Sequence, residues 1–235
     1  MTSGVRDFEA KIAKYQSEQD KVKEDYFTVL KTNEEQNRRI KVLELQEKVG
    51  SLMRTNNYQR ALEYAIPALE MDPNNQSLLG QKGLCLWRLG DIPGAITTFA
   101  KLVELDQNNL NAVTNLLELY LITNRLDDFR TLYQKNKAGI TAKDGAPITT
   151  YFEVLEAYQQ NDVIKMKSLI QEYIKSLTSN KEKRTIWDFS DAQKALSPKS
   201  DEDRGALLNV LIAILTGELD REEATKKLGE GTPNE

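Results

Sequence analysis

The sequence predicts an all-α protein of stacked helix pairs, and three observations carry that prediction. The stretch from Val42 to Lys137 repeats itself at a spacing of 34 residues, so that Met71-Asp72-Pro73-Asn74-Asn75 returns as Leu105-Asp106-Gln107-Asn108-Asn109. Equivalent positions share their chemistry: Leu52, Leu86 and Tyr120 form one column, Asn56, Gly90 and Asn124 a second, and Tyr58, Ile92 and Leu126 a third. Within one unit the apolar residues fall at helical spacing, Leu79, Gly83 and Leu86 on a first helix and Ile92, Ala95, Ile96, Phe99, Leu102 and Val103 on a second. Self-similarity at a fixed period of this size marks a stacked-repeat architecture and outranks any local propensity.

The chain opens on an arm, residues 1–41, rich in both signs of charge and without Pro or Gly from Val5 to Val49. Phe8, Tyr15, Val22, Val29 and Leu43 follow a seven-residue repeat, with Ile12, Tyr26 and Ile40 four residues on. Gln19, Asn33 and Gln36 interrupt this seam. The pattern is a coiled-coil stripe with polar defects, which lower stability and fix register. Thr32-Asn33-Glu34-Glu35 fits a capping box, so two helices are expected, roughly 6–31 and 34–54. Three fates of the arm stay open: folding back on the repeats, pairing with another chain through Phe8, Ile12, Tyr15, Val22 and Val29, or partial disorder.

The repeats, within residues 42–178, turn at Asn56-Asn57, Gly90-Asp91 and Asn124-Arg125, residue types that enter left-handed backbone cheaply. These residues resemble the tetratricopeptide repeat, most closely in the middle unit at Leu79, Gly83, Leu86, Gly90, Ala95 and Phe99. The first unit matches at Ala61, Ala68 and Pro73, with Val49 in a small-residue column and Ala65 in an aromatic one. The third matches at Tyr120 and Tyr133 but carries Phe129 in the small-residue column. The resemblance implies a right-handed α-solenoid of three clear repeats and a fourth degenerate one, serving as a general protein-interaction scaffold.

Ala138 to Pro147 reads as a loop, with Pro147 suited to a first helical turn. Tyr151, Phe152, Val154, Leu155 and Tyr158 then mark one helix, Asn161-Asp162 a turn, and Val163, Met166, Leu169, Ile170 and Tyr173 its partner. A connector, 179–200, holds Trp187 and Phe189, which either plug the last helix pair or form an exposed docking element. The C-terminal cap, 201–235, begins with a helix apolar on almost every side (Ala206 to Leu215), which demands burial all round. A short helix from Asp220-Arg221-Glu222-Glu223 suits the polar outer end that stacked repeats need.

Composition excludes much. The chain of 235 residues has no histidine, so it lacks the usual general base and commonest metal ligand. Its one cysteine, Cys85, reads as a buried small hydrophobe and forbids intrachain disulfides. A net charge of −4 disfavours nucleic-acid binding, which leaves a basic footprint. The first residues hold no apolar run, so no signal peptide is expected, and no stretch is long enough to insert in a membrane. The chain therefore reads as cytoplasmic, non-enzymatic and without cofactors or metal.

What remains is the concave face that the family resemblance implies. It would be lined by Gln46, Met53 and Arg54 in the first repeat, Leu84, Trp87 and Arg88 in the second, and Glu118, Leu121 and Ile122 in the third. Family members that clamp acidic chaperone C-termini use Lys, Asn and Arg. Here Gln46, Gly50, Gln81, Asn111 and Asn115 stand at those positions, which disfavours that ligand class. An apolar segment with some negative charge fits better, unless Trp87 packs under the chain's own helices. The leading expectation is an adaptor or scaffold. A chaperone for a secreted protein and a subunit of a larger assembly are the alternatives.

Overall fold

The computed structural model describes residues 3–177, 189–196 and 202–230, which form eleven helices and no strand among the described residues. Contacts cluster into two compact units, 1–81 and 82–235.

The first unit holds α1 (Ser3–Arg54), α2 (Tyr58–Met71) and the opening turns of α3 (Gln76–Arg88). α1 is a single helix of 52 residues, so the break expected at Thr32 is absent. The reason is local. The Thr32 hydroxyl turns back and donates to the Thr28 carbonyl at 2.8 Å, as Thr28 does to Glu24 at 2.9 Å, while Glu35 pairs forward with Arg39 at 2.6 Å. A hydroxyl spent within its own helix cannot cap a new one. The end of α1 packs on α2, burying Val42 and Val49 together with Ala61, Ala65 and Ala68. These alanines let the two helices approach closely. Asn56 turns the chain in left-handed conformation, φ 56°, and the Asn57 N–H closes back on the Leu52 carbonyl at 2.9 Å.

The second unit continues α3 and adds α4 (Ile92–Leu105), α5 (Leu110–Ile122), α6 (Leu126–Asp144), α7 (Ala146–Gln159) and α8 (Val163–Ser176). Helices α9 (Ser190–Leu196), α10 (Glu202–Thr216) and α11 (Arg221–Glu230) follow. The expected turns form, with Gly90 at φ 84°, Asn124 at 57° and Asn161 at 59°. Asp91, Asn109 and Asp162 each accept a backbone N–H three residues on, at 2.9–3.1 Å. Such caps satisfy donors that a helix start leaves open. α4 packs on α5, α5 on α6, α6 on α7 and α7 on α8.

One expectation changes here. The loop from Ala138 to Pro147 shrinks to Gly145, because α6 runs on to Asp144. Fully buried Ile140 anchors the extra turn, and the Lys143 ammonium donates to Asn111 Oδ1 at 2.6 Å. Gly145, at φ 77°, makes the reversal into α7, with Pro147 in its first turn as expected. Phe129, in place of a small residue, is fully buried, its ring stacked 5.2 Å from Tyr133 and tilted 6.2 Å from Phe152. The extra volume becomes an aromatic cluster shared by α6 and α7.

The apolar α10 packs against α7, α8 and α11, which buries Leu208, Leu211, Ile214 and Leu215. α11 begins with a reciprocal cap, Glu223 N–H to Asp220 Oδ1 at 2.9 Å and Asp220 N–H to Glu223 Oε2 at 3.0 Å.

Candidate partner-binding faces

In the first unit, Gln46 and Met53 are half-buried on α1 and Arg54, in its last turn, is exposed. The adjoining length of α1 is bare: every side chain from Lys11 to Lys41 is exposed. Among them stand Ile12, Tyr15, Val22 and Val29 of the self-association stripe, with exposures of 42–68%. Phe8 occupies the same register one heptad earlier.

In the second unit, Leu84 is half-buried, Trp87 buried at 9% exposure and Arg88 exposed, all on α3. Cys85 is fully buried between them, and burial pushes its thiol up to about 11. On α5, Glu118, Leu121 and Ile122 are all buried. The Tyr151 hydroxyl donates to Glu118 Oε1 at 2.9 Å, and the Gln159 side-chain amide donates to the Leu121 carbonyl at 2.6 Å. The first helices of the third and fourth pairs, α5 and α7, are thus joined by two polar contacts at the C-terminal end of α5.

Sequence reasoning did not find α9 as a helix. It lies against α5 and inserts Phe189, Ala192 and Leu196, each no more than 3% exposed. The Phe189 ring sits 4.6 Å from that of Tyr151, and the Tyr158 hydroxyl donates to the Leu196 carbonyl at 2.9 Å. The spacing of one aromatic, one alanine and one leucine at i, i+3 and i+7 is a helical stripe. It was legible, but only Phe189 stood out in a polar connector. Trp187, its expected companion, lies outside the described residues.

Beside these helices lie two cavities. One of about 420 Å³ is lined by Ile164 and Lys167 of α8, Leu207 and Val210 of α10, and Lys227 and Leu228 of α11. A larger one of about 670 Å³ opens between α9, α10 and α11.

Helix pairs closed by left-handed Asn or Gly turns make this a helical-repeat fold. The tetratricopeptide repeat family model matches residues 52–120 of the 235. A solved structure titled "MamA RS-1 ArsTM double mutant" aligns with 17% identity and a TM-score of 0.49, covering 74% of this chain and 94% of that one. No curated protein matches the sequence.

Proposed function

We propose that this protein is a non-enzymatic cytoplasmic adaptor that receives a helical segment of another protein on the first-helix faces of its repeats. What supports the reading is α9. A seven-residue helix of the chain's own already lies across α5 and α7 by an aromatic, an alanine and a leucine, which is the contact a partner helix would make there. The partner segment carries apolar residues at that spacing and takes the place of α9. Some negative charge on it suits exposed Arg88. Self-association through Phe8, Ile12, Tyr15, Val22 and Val29 belongs to the same proposal. No helix among the described residues is long and apolar enough to cross a membrane.

The experiment is affinity capture from native lysate, run in parallel with wild-type protein and with Arg88→Glu, a charge reversal on an exposed residue. A protein retained by the wild type and lost from the variant, at unchanged melting temperature, is the expected outcome. Identical captured sets from both proteins would remove the α3 face from the reading.

A further inference from the structure

The helix that carries the seam, α1, is continuous from Val5 to Leu43, about 57 Å at 1.5 Å per residue. Val5, Ile12, Gln19, Tyr26, Asn33 and Ile40 take heptad position a, and Phe8, Tyr15, Val22, Val29, Gln36 and Leu43 position d. Nine of the twelve are apolar, and Ile12, Tyr15, Val22, Tyr26, Val29, Ile40 and Leu43 are between 42% and 68% exposed. A row of large apolar side chains held in water on an intact helix loses free energy only by being covered.

We propose that α1 pairs with α1 of a second copy of this chain as a parallel, in-register, two-stranded coil. The proposal rests on the self-association reading above and adds the orientation, which the three polar seam residues decide. In a parallel, in-register pair each layer meets its own copy, so Gln19 faces Gln19, Asn33 faces Asn33 and Gln36 faces Gln36. Each side-chain amide carries a donor and an acceptor, so two identical amides satisfy each other. Antiparallel helices instead set a against d. With the same length overlapped, Gln36 would face Ile12, Gln19 would face Val29 and Asn33 would face Tyr15. Two of those layers bury an amide against hydrocarbon alone, which costs the desolvation of every unpaired group.

Charge agrees with that choice. Residues flanking the seam at g and, five later, e of the other copy are Glu18 with Lys23 and Arg39 with Glu44. Both are attractive, and the remaining pairs, Lys11 with Gln16, Asp25 with Leu30 and Thr32 with Asn37, contain no like charges. In the single helix Glu18 lies 3.8 Å from Lys14, Arg39 2.6 Å from Glu35 and Glu44 3.1 Å from Lys41. All are exposed, so exchanging partners changes little energy and serves orientation more than affinity. Because α1 runs directly into the first repeat, a parallel pair brings both copies' first repeats to the same end of the coil.

The full-length chain tests this by light scattering and by cysteine cross-linking. Native Cys85 is fully buried and does not interfere. A mass of twice 26.7 kDa is expected. Ile12→Cys and Val22→Cys chains should each form a disulfide-linked dimer under mild oxidation, whereas Phe27→Cys, exposed but off the seam, should not. A wild type of 26.7 kDa at the highest soluble concentration overturns self-association and orientation together. A dimer in which Ile12→Cys chains fail to link to one another overturns the orientation alone. Neither result bears on the Arg88→Glu capture experiment. Val22→Glu with Val29→Glu should give a monomer of unchanged helical content, since both positions are exposed on α1, and its melting temperature should no longer depend on protein concentration.

Discussion

Gly83 faces the Phe99 ring so closely that a Cβ placed there would stand 2.8–3.0 Å from three of its carbons. The ring is 1% exposed and has nowhere to go. Gly83→Ala should therefore destabilise by about 1–3 kcal/mol in urea melts, although alanine is the better helix former by about 1 kcal/mol. Ala95→Leu, at a position with no exposed surface, should cost a similar amount, whereas Ala138→Leu, exposed on α6, should cost little. A second residue-scale expectation concerns the left-handed turns. Asn124→Ala keeps the Cβ in that conformation but loses the short polar side chain that makes it tolerable, and should cost about 1 kcal/mol, while Asn124→Gly should be nearly neutral; equal effects would remove the turn as the cause. Cys85 gives a pH dependence. Its thiol is held up to about 11 in the folded chain against an ordinary value of 9.0. The unfolded chain loses that proton first, so the stability contributed is present below pH 9 and is lost as pH rises through 11. Wild-type denaturation midpoints should fall over that window by more than those of Cys85→Ala.

At the scale of elements, the repeated columns carried most of the fold. Each left-handed turn stood in the sequence as an Asn or Gly because only a few residue types tolerate that backbone, and chemistry so restricted is legible. The extents of α1 and α6 were not. Thr32-Asn33-Glu34-Glu35 holds the letters of a capping box, but whether a threonine hydroxyl caps or turns back on its own helix depends on the geometry of the preceding residues. Ala138 to Asp144 mixes good helix formers, Ala138, Ala142 and Lys143, with the poor ones Gly139 and Thr141, and the buried Ile140 holds it helical. Trp87 shows the same limit at the candidate site: spacing gives it a face but not what covers that face. Because it is buried, Trp87→Ala should cost on the order of 3 kcal/mol of stability, which makes Arg88→Glu the cleaner test of binding. For α9, Phe189→Ala should weaken its hold on Tyr151 and so raise capture of a partner helix several-fold; capture unchanged or reduced would mean that α9 does not compete with the partner.

For the whole molecule, pairing through α1 would turn one recognition surface into two. Two linked sites bind a surface carrying repeated targets more tightly than either alone, on the order of a hundredfold, provided the geometry lets both engage. The Val22→Glu, Val29→Glu chain should lose that gain on an immobilised, dense target and keep the wild-type affinity for a single target in solution. Surface plasmon resonance at two target densities separates these outcomes. The covalent attachment of α9 has a kinetic meaning as well. A ligand on the same chain competes at a local concentration set by the length of chain that ties it. An incoming helix then meets a surface that is vacant only part of the time. Its apparent dissociation constant is the intrinsic one divided by the vacant fraction, and a synthetic peptide tested on the whole chain reports the competition along with the contact. At saturating ligand, the association rate should level off at the rate at which α9 leaves.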